Sequence, residues 1–388
     1  MRIVDVCAFY TPAGGGVKTY IDRKLAIAPR LGHETIVIAP GATDSVIEHR
    51  PGAIVATIAS PRFPLDRRYR YFADEEKLHR TLSMWRPDVV EASSPWSSAS
   101  MVGRWQGSAT RALVMHCDPL SAYAYRWFGG VAGIATIDRG FDRFWRHLRQ
   151  LDAQFDAVIC ASDQLTHRLR QGGVHGARTV RMGVQDGLFS PTRRDLAVRR
   201  RTLELCGLRS NAMLMLGVGR YSPEKRWAMV IEAAISASTV KPIGLLLVGE
   251  GRSRSALIAA ASGSPHVVVG AKIRDRSILA TILASSDVLI HGCEAETFCM
   301  VAAEARASGL PVIVPDRGGA SDHGDGAPNL RYRAANVGAL RDAMITFAGR
   351  AGMENNSRET LPIRTMDDHF AELFRLYCAA AEPVRLAA

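Results

Sequence analysis

Short apolar runs rich in β-branched residues alternate along the chain with stretches whose apolar positions recur at helical spacing. Residues 3–7, 35–39, 54–58, 88–91, 112–116 and 157–160 read as strands in the first half, and 212–218, 243–248, 266–269, 288–291 and 310–314 in the second. Helical spacing fits 19–31, 75–85, 164–171, 228–236, 277–285 and 301–307. Such alternation predicts parallel sheets with both faces covered by helices. It pauses over residues 186–210, where a turn from Asp186 to Pro191 precedes a charged stretch from Arg193 to Arg201. The expected architecture is an α/β chain of two Rossmann-like domains. They cover residues 1–190 and 211–365, joined by a linker at 191–210 and followed by a C-terminal helix and tail at 366–388. Phe370, Leu373, Phe374 and Tyr377 give that last segment one apolar face to bury. Ligands of such folds bind beyond the carboxyl ends of the strands, here expected in a cleft between the two domains.

Composition narrows the class. A length of 388 residues suits two or three domains, and 47% apolar with 22% charged residues is ordinary for a globular protein. No apolar run approaches the roughly 20 residues that span a bilayer. Met1 to Val6 read as a strand and lack the basic head and cleavage site of a secretory signal, so a cytoplasmic location is expected. The seven cysteines form no C-x-x-C pair, which argues against a zinc ribbon or a disulfide scaffold. The net charge is +11, and residues 1–200 carry most of it, with 28 Lys and Arg against 19 Asp and Glu. That field suits anionic lipid, nucleic acid or a phosphorylated substrate, or is simply an arginine-rich surface. Residues 67–72, 123–128 and 141–149 interleave aromatics with arginines. Three readings stand: aromatics packed inward with wet arginines, a membrane interface, or base stacking.

Two constellations carry chemistry. Glu296 and Glu304 stand in an E-x7-E spacing after a strand, with Phe298, Cys299 and Met300 between them at a helix start. Eight residues make just over two helical turns, so both carboxylates can reach one side. The amides of a helix start favour an anion, and a carboxylate suits a vicinal diol of ribose or hexose. Upstream, Gly217 to Arg226 forms a glycine-bearing turn beyond the first strand of the second domain. Its Gly219 lets the backbone approach a ligand, while Arg220 and Lys225 offer a planar fork and a point charge for a diphosphate. Two solvated surface cations around a turn are the plainer alternative.

With these motifs in place, the chain resembles the retaining glycosyltransferases of family GT4, with a GT-B fold, over nearly its full length. The likeness also covers Ala13 to Val17 after the first strand, His116 with Asp118 after a mid-domain strand, Leu246 to Gly251, and Asp316 to Gly319. It implies a C-terminal helix returning to the N-terminal domain and an N-terminal domain that holds the acceptor. It implies that Arg220 and Lys225 neutralise the donor diphosphate and that Glu304 grips the ribose. Glu296, with the amides of Phe298, Cys299 and Met300, would hold the hydroxyls of the transferred sugar. Gly15, Gly16, Gly219 and Gly249 would bring backbone close to the donor, and His116 would stand at the reacting centre. The implied reaction moves a hexose from a UDP-sugar or GDP-mannose to a lipid-linked or glycan acceptor, with retention. It needs no metal or other cofactor, since no D-x-D triplet occurs and the two cations supply the positive charge. A GT-B epimerase or hydrolase and a silent sugar-nucleotide-binding subunit are the rival readings. Peripheral attachment to an anionic membrane surface is expected, and nucleic acid is not expected as a partner. Thr297 and Cys299 stand where glycines are frequent in the family, Arg181 to Gln185 departs from a common Asn-Gly-Val-Asp run, and Asp322 replaces a glutamate.

Overall fold

The computed structural model describes residues 1–11, 16–64, 67, 69–118, 120–124, 128, 134–350 and 364–381. It divides into two compact units. The first takes in Met1–Asp118, Val131–Arg181 and Met366–Ala388, the second Pro119–Gly130 and Met182–Thr365.

The first unit is built on strands β1 (Arg2–Cys7), β2 (Glu34–Gly41), β3 (Ser45–Arg50), β4 (Ala53–Ala59), β5 (Val89–Ser93), β6 (Thr110–Met115), β7 (Ala157–Cys160) and β8 (Ala177–Thr179). Their order in the sheet is β3-β4-β2-β1-β5-β6-β7-β8, parallel except for β3. The central strands β1, β2 and β5 are buried on both faces and are mostly apolar, as parallel strands are, with Asp5 and Glu91 as buried charged exceptions. The β1–β5 register sets Asp5 beside Glu91, two carboxylates side by side in the middle of the sheet. Helix Gly16–Ile27 answers them: Tyr20, Ile21, Lys24 and Leu25 share its inner face, and that spacing delivers the Lys24 ammonium to both acids. All three side chains are fully buried. The last helix, Met366–Ala381, belongs to this unit, as expected for a returning C-terminal helix. Its Phe370, Leu373, Phe374 and Tyr377 are buried, and the Tyr377 hydroxyl donates to Glu91 Oε2 at 2.9 Å.

The second unit holds β9 (Met213–Val218), β10 (Ile243–Val248), β11 (Val267–Val269), β12 (Val288–Ile290), β13 (Val312–Pro315) and β14 (Leu330–Tyr332), all parallel, in the order β11-β10-β9-β12-β13-β14. Alternate residues feed separate cores. Met215, Leu245 and Ile290 pack under helix Trp227–Ser238, and Leu216, Leu246 and Leu289 face the helices Arg276–Ser285 and Met300–Ala307.

Two expectations need correction. The first unit runs to Arg181, not 190, and the 191–210 segment is part of the second unit rather than a linker. Helix Leu196–Leu205 occupies it, capped by the Asp195 carboxylate on the amides of Ala197 (2.7 Å) and Val198 (3.2 Å). Within it the Arg199 guanidinium clasps Asp287 at 2.7 and 3.0 Å and donates to the carbonyl of Ala212. The aromatic and arginine run at 141–149 falls on helix Asp142–Asp152, which turns Trp145, Leu148 and Leu151 inward and leaves Arg143 and Arg146 in solvent. Here inward packing is the observed reading. Residues 125–127 and Arg68 of the other two runs lie outside the described residues.

Candidate active site

The residues singled out in the second unit gather beyond the carboxyl ends of β9, β10 and β12. The loop after β9 runs close to the loop after β10: Tyr221 N–H donates to the Glu250 carbonyl at 2.7 Å and Gly219 N–H to that of Val248 at 3.0 Å. Gly249 is glycine for a steric reason, since a Cβ there would lie 1.9 Å from the Gly219 carbonyl oxygen. Trp227 pins the same loop by donating from its indole to the Arg220 carbonyl at 2.8 Å. The Arg220 side chain is left 76% exposed, with Glu224 3.5 Å away.

Lys225 turns inward instead and binds Glu296 Oε1. Burial would raise the Glu296 carboxyl, but Lys225 and then His291 outweigh it and hold it well below the usual carboxylate range. Burial likewise opposes the Lys225 charge, and Glu296 overrides it and raises the ammonium. Both groups are therefore ionised at neutral pH. His291, at the end of β12, is buried with Nε2 3.2 Å from the same Glu296 oxygen, though neither ring nitrogen makes a well-aligned hydrogen bond. Burial lowers this imidazole. Next to Lys225, Arg226 adopts a left-handed backbone (φ 51°) and clasps Glu294 through Nε (2.7 Å) and Nη2. Two parallel ion pairs thus fix this turn against the segment after β12.

The E-x7-E spacing resolves into two different environments. Glu296 precedes the helix in a loop braced from below, where Gly319 N–H donates to the Glu296 carbonyl at 2.7 Å. A Cβ on Gly319 would lie 2.3 Å from the Thr297 carbonyl oxygen, so this brace requires glycine. Phe298 is buried edge-on to His323, whose Nε2 is 2.7 Å from the Phe298 carbonyl. Cys299 then takes φ 71° and ψ 68°, the left-handed region that a side chain disfavours, and Met300 opens the helix. That geometry accounts for the frequent glycine noted at this place. Glu304 lies on the helix, 4% exposed, and Arg276 Nη2 donates to it at 2.7 Å while its guanidinium stacks 5.1 Å over Phe189. Burial raises the Glu304 carboxyl against the pull of Arg276.

In the first unit, His116 follows β6 and is half-buried. Burial drops its imidazole to about 4, so it is neutral at pH 7. Its Nε2 is 3.3 Å from Ser93 Oγ, and Tyr20 packs edge-on at 4.8 Å. Asp118 pairs with Arg168. Gly16 is the exposed first residue of its helix with open space around it, so nothing in the fold demands glycine there. Gly15 lies outside the described residues.

His291, Glu296 and Cys299 present nitrogen, oxygen and sulfur atoms within 4.8 Å of one another, a donor set a soft cation can take. Lys225 already places a positive charge on the carboxylate of that trio. Sequence reasoning reached Arg220, Lys225, Glu296 and Glu304 but missed His291, Arg276, the Arg226–Glu294 pair and Ser93. His291 had a signal: it ends a predicted parallel strand, where ligand-facing residues collect.

Comparison with known proteins agrees with this geometry. Residues 14–185 match the model of "Glycosyltransferase Family 4", and residues 212–349 match that of "Glycosyl transferases group 1". A GDP-mannose-dependent alpha-(1-6)-phosphatidylinositol dimannoside mannosyltransferase of Mycobacterium tuberculosis is 30% identical over 317 residues, covering 81% of this chain and 79% of its own. Among solved structures, sucrose-phosphate synthase from Thermosynechococcus elongatus superposes with a TM-score of 0.69 at 20% identity, covering 98% of this chain and all of its own. A Rickettsia africae glycosyltransferase gives 0.70 at 16% identity, with 98% of each chain covered. The two units match these family models and the GT-B fold of these structures, and the chain belongs to glycosyltransferase family 4.

Proposed function

We propose that this glycosyltransferase moves mannose from GDP-mannose to a lipid-linked acceptor, with retention at the anomeric carbon and without a metal ion. The observation that carries the reading is the Lys225–Glu296 pair with Arg220 exposed beside it. A diphosphate leaving group gains negative charge as the sugar–phosphate bond breaks, and a fixed ammonium and a guanidinium fork stabilise that charge without reorganising. Glu296, kept ionised, accepts hydrogen bonds from sugar hydroxyls, and Glu304 does so from the ribose once Arg276 gives way. The acceptor oxygen bonds to the anomeric carbon on the face the phosphate leaves, and the acceptor proton passes to the departing phosphate oxygen. No protein base is then required.

The donor is supported by relatives whose names specify GDP-mannose, one of them with a phosphatidylinositol dimannoside acceptor. Among the described residues no helix is long and apolar enough to cross a membrane, and the basic first half suits attachment to an anionic leaflet. Incubation with a panel of GDP- and UDP-sugars, with and without phosphatidylinositol mannosides, tests the reading. Turnover of GDP-mannose alone, an α-linked product by NMR, and activity that survives EDTA are expected. A preference for a UDP-sugar would overturn the donor, a β-linked product the retention, and loss in EDTA restored by a divalent ion the metal independence.

A further inference from the structure

Cys299 is a strained place for a thiol. Its backbone sits in the left-handed region (φ 71°, ψ 68°), which a Cβ disfavours, and residues held in such conformations gather at functional sites. Its sulfur, a ring nitrogen of His291 and a carboxylate oxygen of Glu296 all lie within 4.8 Å of one another. The His291 imidazole is 1% exposed and neither of its nitrogens makes a well-aligned hydrogen bond, whereas buried polar groups are normally satisfied. The backbone under that ring is fixed: the His291 amide donates to the Ile313 carbonyl at 3.0 Å, and the Tyr332 hydroxyl donates to the His291 carbonyl at 2.9 Å. Nε2 stands 3.2 Å from Glu296 Oε1, close to the spacing of about 3.5 Å that tetrahedral zinc imposes on its ligand atoms.

We infer that His291, Glu296 and Cys299 form a binding site for a soft divalent cation of the zinc class, and that a cation held there shuts the sugar site. Imidazole nitrogen, carboxylate oxygen and thiolate sulfur are the ligand types such an ion takes. A thiol is protonated at neutral pH. On binding, the Cys299 S–H bond breaks, a sulfur–metal bond forms and the proton leaves to water, so one proton is released per cation. The trio then carries two negative charges, which a dication neutralises and the single ammonium of Lys225 does not, and Lys225 gives up Glu296. Glu296 and Lys225 keep 21% and 15% of their side-chain surface, so the trio is reached from solvent on that side. The shut sugar site rests on the roles given to Glu296 and Lys225 above; the cation site rests on the donor geometry alone. The ion is an inhibitor and not a cofactor, in keeping with the EDTA-resistant transfer proposed above.

Cadmium, a soft probe whose thiolate complexes absorb in the ultraviolet, is titrated into the full chain carrying Cys378→Ser, which removes the exposed thiol. One thiolate–cadmium band and one proton released per ion are expected, both reversed by EDTA, and zinc should compete for the same site. Cys299→Gly suits the left-handed backbone and keeps the fold. It should weaken cadmium by more than about 100-fold, beyond the cost of losing an outer-shell contact, and His291→Gln should do the same. Cys293→Ser, which removes another buried thiol of the same segment, should leave the band in place. The inference is overturned by the absence of a band, by a band unchanged in Cys299→Gly, or by one lost in Cys293→Ser; the first of these decides even where a variant does not fold. In turnover assays, saturating zinc should stop transfer, and added donor should relieve it. Should cadmium bind as stated while transfer runs at full rate, the shut site falls together with the sugar role of Glu296, and the cation site stands.

Discussion

Each unit sets a lysine from the first helical segment after its leading strand against carboxylates, and the two do opposite things with it. In the first, Lys24, Asp5 and Glu91 are fully buried, and Tyr377 and Ser93 close the remaining carboxylate oxygens. In the second, Lys225 and Glu296 keep 15% and 21% of their side-chain surface, and Arg220 stands in solvent with an acid 3.5 Å away. A charge cluster whose partners all lie within the fold serves the fold. One that keeps exposed cationic surface can still meet charge from outside the fold, the role proposed above for Lys225 and Arg220.

The sharpest way to break this contrast is to remove each lysine. Lys24→Met leaves two adjacent carboxylates without a cation, and breaking a buried pair costs about 3–5 kcal/mol. Urea unfolding should register that loss, and one below about 1 kcal/mol would mean the cluster is not ionised as described. Lys225→Ala should unfold at a lower denaturant concentration than the unaltered chain, by less than Lys24→Met, and lose about 10²–10³ in kcat, the scale of one removed oxyanion-stabilising donor. Next in size, Arg220→Ala should weaken donor binding by about 1.5–3 kcal/mol, the worth of a charge-assisted bond, as measured by calorimetry with GDP. Unchanged affinity would make Arg220 an ordinary surface residue.

The smallest effect sits in the pH dependence. His116 titrates near 4 in the fold against an ordinary 6.5. Between those values the unfolded chain binds the proton and the folded chain does not, so stability rises with pH across that window and His116 adds no slope above it. Glu296, held low by Lys225 and His291 against its burial, acts in the same direction below its ordinary 4.5. Thermal midpoints from pH 4 to 7 should fall towards acid, and His116→Gln should flatten the upper part of that fall.

Much of this was legible before any coordinates. The period of the apolar runs reported most of the parallel strands because a strand buried on both faces must be apolar throughout. It missed β3, whose Val46 and Ile47 are exposed on an antiparallel edge, and β8 and β14, which are three residues long. The diphosphate and sugar-binding candidates were legible because they fall within short segments at strand ends. The Asp5–Lys24–Glu91 cluster was not, because its members are single charges inside apolar runs, 19 and 67 residues apart, and only the strand register joins them. The role of Arg199 was hidden for a related reason: three arginines in a row look alike in sequence, and only a partner 88 residues away distinguishes the one that is held.

Tyr377 reaches Glu91 across 286 residues and His369 reaches Tyr20 across 349, so the first unit is finished by nearly the last helix of the chain. On a ribosome the opening strands emerge early, but the acid at their centre waits for its final donor until the whole second unit has been synthesised. The nascent N-terminal half therefore carries an open apolar seam for most of translation, until Phe370, Leu373, Phe374 and Tyr377 arrive to cover it.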